Sequence, residues 1–130
     1  MKKTSVIVAA AFAAIALPAS AFALTSSPAK PTTISISGTG APTCTYLPYS
    51  TTAKSDALVQ ITILQGTTKI KSLRATNVPA GNHTIRWCGK DTAAALVAPG
   101  AYLWHVQTRH YAATGGLSAP TVNRQINVIA

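Results

Sequence analysis

Apolar and polar residues alternate with a period of two through most of the chain beyond residue 31. In the run from Ala57 to Leu64, Val59, Ile61 and Ile63 share one side while Gln60 and Thr62 take the other, the signature of a half-buried strand. Thr32 to Ser37 alternates in the same way around Ile34 and Ile36. Further strands are predicted over Thr43 to Leu47, Lys69 to Arg74, Asn82 to Cys88, Ala101 to Arg109 and Thr121 to Ile129. Turn-forming punctuation separates them at Gln65-Gly66-Thr67, at Pro79-Ala80-Gly81-Asn82 and at Gly115-Gly116. Along the Ala101 strand, Tyr102, Trp104 and Val106 share the face expected in the core, with Leu103, His105, Gln107 and Arg109 opposite. The best helical window, Asp91 to Val97, is short and closed by Ala98-Pro99-Gly100, so it reads as a connecting loop or a single turn.

Seven short strands at this spacing predict an all-β fold, an antiparallel immunoglobulin-like β-sandwich, because a sheet this small must bury one face against a second sheet. A small barrel is the rival architecture. The expected division is a secretory leader over 1–23, an extended N-terminal segment over 24–37 and the sandwich over 38–130. The leader has three parts: Met1-Lys2-Lys3, an apolar run from Val6 to Leu17, then Pro18 and small residues through Ala23. The apolar run falls short of the roughly 20 residues that cross a bilayer core. Cleavage after Ala23 or after Ala21 fits the small-residue rule, with Leu24 the favoured mature start. The mature chain is expected to be exported, periplasmic or extracellular, with no membrane span. The stretch Leu24 to Pro31, with two prolines and no period, is expected to be a mobile tail.

Composition narrows the chemistry. Asp56 and Asp91 are the only acids in 130 residues and there is no Glu, which all but excludes paired catalytic carboxylates and carboxylate-rich Ca²⁺ cages. From Leu24 onward nine Lys and Arg face those two acids, a net charge of +7. That balance favours an anionic partner and also keeps a Thr- and Ala-rich exported domain soluble.

The stretch Ser55 to Arg109 resembles the Ig-like domain of the flagellar hook-capping protein family, the FlgD type. The matching segments are Val59-Gln60-Ile61-Thr62-Ile63, Lys69-Ile70-Lys71-Ser72-Leu73, Pro79 to Trp87, Gly89-Lys90-Asp91 and Val97 to Tyr102. The resemblance implies a β-sandwich serving as an extracellular scaffolding or partner-binding module, and no catalysis. Two departures mark altered loops: Cys88 stands where the resemblance has an acid, and Thr92-Ala93-Ala94-Ala95 replaces its Asn/Gly turn.

Cys44 and Cys88 are the only cysteines, and in an exported protein an even pair reads first as a disulfide. Closing a loop of about 45 residues would stabilise the fold by about 4 kcal/mol in the chain-entropy model. A redox-active pair is the minor alternative, since Cys-x-x-Cys spacing is absent. Strand parity turns Cys88 away from the core side of Ile85 and Trp87 unless the strand ends there. His83, His105 and His110 have neither the spacing nor the partners of a metal site, so no metal and no cofactor is expected. No serine lies in a nucleophile-elbow pattern. Lys69, Lys71 and, less regularly, Arg74 are candidates for an exposed basic stripe that grips anions, and Arg109 is a candidate to extend it. Exposed aromatics for stacking are not evident. The expected function is a non-enzymatic exported structural or interaction module that binds a protein partner or associates with itself. The alternative is a soluble binder of anionic envelope polysaccharide or nucleic acid. The Thr32–Ser37 segment is expected either to pair within its own sandwich or to add to a neighbouring subunit.

Overall fold

In the computed structural model, residues 24–52, 57–109 and 117–130 are described, and the expected leader over 1–23 and His110 lie outside them. The alternating runs become eight strands: β1 (Leu24–Ser26), β2 (Thr33–Ser35), β3 (Thr45–Thr51), β4 (Ala57–Gln65), β5 (Thr68–Val78), β6 (Gly81–Trp87), β7 (Gly100–Arg109) and β8 (Arg124–Ile129). They form two sheets, a three-stranded one in the order β1-β3-β6 and a five-stranded one in the order β2-β8-β7-β4-β5. The fold is all-β, and residues 91–97 form a loop.

Both sheets contribute to one core. Leu47, Tyr49 and Trp87 come from the three-stranded sheet, and Ile34, Val59, Ile61, Ile63, Tyr102, Trp104, Val106, Ile126 and Val128 from the other. Val59, Ile61, Ile63, Tyr102, Trp104 and Val106 are the residues that the period of two assigns to inner faces. The Trp87 and Tyr102 rings meet across the layers with centroids 5.9 Å apart. Burial leaves their polar tips in need of partners, and the Trp87 indole N–H donates to the Lys90 carbonyl at 2.9 Å while the Tyr102 hydroxyl donates to the Ala98 carbonyl at 2.6 Å. Arg124 ties the layers at the rim, its guanidinium donating to the Ser26 carbonyl at 2.7 Å and to Ser26 Oγ at 3.2 Å.

The expected mobile tail, Leu24 to Pro31, is instead built into the three-stranded sheet, while the expected strand over Thr32 to Ser37 joins the five-stranded one. β1 pairs antiparallel with β3, and β2 pairs parallel with β8, placing Ile34 beside Val128. Ala29 between them is buried and Ile34 is fully buried. The prolines did not loosen this segment because the backbone that they leave available still bonds: the Lys30 N–H donates to the Tyr46 carbonyl and the Tyr46 N–H to the Lys30 carbonyl. The strand beyond the expected seven is therefore β1. β4 and β5 are joined by Gly66-Thr67, with Gly66 at φ 64°, the left-handed first position that a type II′ hairpin turn requires.

Candidate functional site

Three clusters carry the residues that could act: the β5 edge, the histidines and the outer face of the three-stranded sheet. On β5 the expected stripe is broken. Gln60 pairs with Arg74, Thr62 with Ser72, Ile61 with Leu73 and Ile63 with Lys71, but the next pair is Leu64 with Lys69, leaving Ile70 as an extra residue. Such a bulge shifts the parity of everything beyond it. Lys69 therefore lies on the outer side with Leu64, Ser72 and Arg74, whereas Lys71 aligns with buried Ile63. Ile70 and Leu73 pack against the core. The expectation that Lys69 and Lys71 share a face is thus corrected, and Arg74 turns its guanidinium to Gln60 Oε1 at 2.9 Å. Arg109 lies across β4 on the outer side, opposite Leu58.

The histidines stay apart. His83 stacks at 5.5 Å on Tyr49 and hydrogen-bonds the Pro79 carbonyl at 2.7 Å, with the ring nitrogen donating. His105 faces Asn123 Oδ1 at 3.1 Å on the other sheet. Among the described residues no group of three His, Cys, Asp or Glu side chains comes together.

The cysteines form a disulfide. The β3–β6 ladder runs from Thr51 opposite Gly81 to Thr45 opposite Trp87, and Cys44 and Cys88 are the next position along. β6 ends at Trp87, which resolves the parity question: Cys88 lies just past the strand, where alternation no longer applies, and meets Cys44 across the end of the ladder with Cα atoms 3.9 Å apart.

The outer side of the three-stranded sheet holds the cluster the sequence reading missed. Thr45, Leu47, Tyr49 and Thr51 point inward and are buried, so Tyr46, Pro48 and Ser50 point outward, opposite Arg86, Thr84 and Asn82. Tyr46 is 48% exposed. It is flanked on β6 by exposed Arg86 and on the other side by exposed Lys30, through an isolated antiparallel bridge. The side chains of Lys30 and Arg86 have no hydrogen-bond or ionic partner among the described residues. One step along the strands, Ser27, Pro48, Tyr49, Asn82, His83 and Thr84 line an open cleft of about 360 Å³. Burial pushes the Tyr49 phenol up from its ordinary value near 10, so it stays a neutral hydroxyl there. The signal in the sequence for Tyr46 is the alternation Thr45-Tyr46-Leu47, which turns the tyrosine away from the side of Leu47.

Electrostatics sharpen this face. The one side-chain carboxylate among the described residues is that of Asp91, whose Oδ1 accepts the Ala93 and Ala95 N–H groups at 2.9 Å each. It caps its own loop, and the basic side chains are left with little to neutralise them.

No family model matches this sequence, and no curated protein matches it. Among solved structures it is similar to part of dimeric latent PorU from Porphyromonas gingivalis, at 16% identity and a TM-score of 0.57. The match covers 67% of this chain and 8% of that one. It is also matched, at 14% identity and a TM-score of 0.48, to the Pseudomonas fluorescens alkylpurine DNA glycosylase AlkC bound to DNA containing an abasic site analog, over 85% of this chain and 31% of that one. The first likeness shows a shared fold alone.

Proposed function

We propose that this chain is an exported, non-enzymatic Ig-like module that works by binding, as the hook-capping type of Ig-like domain would imply. The observation that carries the reading is the outer face of the three-stranded sheet, where Lys30, Tyr46 and Arg86 stand in one row without side-chain partners among the described residues. Aromatic and Arg side chains are enriched where proteins bind partners. The disulfide at the end of that sheet supports export, because such bonds persist in oxidising compartments. Integration of β1 and β2 into their own sheets supports self-pairing of the N-terminal segment over donation to a neighbour.

The test places a photo-crosslinking benzophenone side chain at position 46 in the full-length chain expressed with its leader, with position 69 as the control. The expected result is an oxidised protein in the periplasm or medium that acquires a slower-migrating adduct from position 46 and none from position 69. A reduced protein retained in the cytoplasm would overturn the export, and equal adducts from both positions, or none, would overturn the binding face.

A further inference from the structure

The Lys30–Tyr46–Arg86 row has a geometry that selects among ligands. Its three residues lie on three adjacent strands or strand-like segments, and neighbouring strands are about 4.8 Å apart. The two cations therefore flank the tyrosine with their backbones about 10 Å apart. Two residues further along β3, about 7 Å on, the row gives way to the cleft of Ser27, Pro48, Asn82 and Thr84, which offers hydroxyl and amide groups beside a flat proline. At the opposite end the Cys44–Cys88 bridge closes the face. The surface thus offers a ring-stacking platform between two positive charges, followed by neutral hydrogen-bonding groups.

We infer that this face binds an anionic polysaccharide, with Tyr46 stacking on the apolar side of a sugar ring, Lys30 and Arg86 holding the acidic groups, and the adjoining cleft taking the hydroxyls of the next sugar. The inference rests on the proposed binding role and names its ligand. Charge complementarity selects an anionic polymer: the row is basic, and the single side-chain carboxylate among the described residues is turned onto its own loop. The aromatic count selects sugar over nucleic acid. Single-stranded nucleic acids are gripped by several aromatic side chains that stack successive bases, whereas among the described residues Tyr46 is the one aromatic in the set of exposed large hydrophobic side chains. Arg also suits the task better than a second lysine, because its planar fork fits a carboxylate or sulfate with two parallel bonds. The basic residues on the far sheet do not duplicate the arrangement, since the bulge at Ile70 separates Lys69 from Lys71 and Arg74 is engaged by Gln60.

The experiment is affinity electrophoresis of the exported, oxidised chain through gels containing polygalacturonate, with neutral dextran and single-stranded oligothymidylate as comparison polymers. Retardation by polygalacturonate and not by dextran is expected. Arg86→Glu should weaken that binding by about tenfold, the range of one lost charge-assisted contact. Tyr46→Ala should weaken it several-fold without changing its salt dependence, because stacking releases no counterions. Lys69→Glu makes the same change in net charge on the other sheet and should leave binding within about twofold. Arg86→Gln and near-ultraviolet circular dichroism check that each variant keeps its packing. Equal losses for Arg86→Glu and Lys69→Glu would reduce the effect to diffuse charge and overturn the site. Tighter binding to oligothymidylate than to polygalacturonate would overturn the ligand class, and so would no retardation by polygalacturonate, whereas a position-46 adduct obtained alongside either result would keep the binding face itself.

Discussion

Gly89 is buried, holds φ 71° and sits between the disulfide and Lys90. A Cβ there would touch Ile34 and Ile36 at 3.6 Å, ordinary contact distance, so the cost of a side chain is backbone strain. Gly89→Ala should destabilise by about 1 to 2 kcal/mol, read from the urea midpoint with an unchanged slope. Tyr49 and Tyr102 carry a second residue-scale effect. Burial raises both phenols above their ordinary value near 10, so above that pH the unfolded chain loses phenolic protons that the folded chain keeps. The contribution of these two phenols to stability should be constant up to about pH 9.5 and fall as pH rises through 10 and beyond. Tyr49→Phe should reduce the slope of that fall in urea melts between pH 9 and 11, and an unchanged slope would remove Tyr49 from the account. At this scale the inner face of β7 was readable because Tyr102, Trp104 and Val106 obey a simple alternation. Tyr46 is readable by the same rule, since it stands between inward-pointing Thr45 and Leu47.

Elements depend on pairings that no single stretch announces. The bulge at Ile70 is set by how β5 fits β4, so Lys69 and Lys71 looked equivalent in sequence although their faces differ in the fold. β1 is three residues long and gains its order from β3, leaving almost no local pattern to find. Ile34 in β2 is the counterexample, since its alternation was visible and its burial is complete. Ile34→Ala should cost about 3 kcal/mol, and deleting residues 24–37 should give an unstable, association-prone protein because it uncovers the β3 and β8 edges. A soluble, equally stable monomer would contradict that. The disulfide closes a span of 44 positions, and replacing both cysteines with serine should lower stability by about 4 kcal/mol, measured by denaturant unfolding against the oxidised chain.

Across the whole molecule, two acids were enough to foretell an uncompensated positive surface, and the cysteine count was enough to foretell the bridge. The location of the charge that matters was not legible, because it depends on which sheet each strand joins. β3 and β6 form one sheet although β4 and β5 lie between them in the chain, and only that crossover brings Arg86 beside Tyr46. Light scattering on the oxidised chain of residues 24–130 should return a monomer of about 11 kDa, the mass of roughly 107 residues in one domain; a larger, concentration-dependent species would return attention to strand exchange through β2.

The parallel pairing of β2 with β8 has a consequence in time as well as in space. These strands stand near opposite ends of the described chain, so the five-stranded sheet cannot close until the final strand is free to join, and contacts of such long sequence separation form slowly.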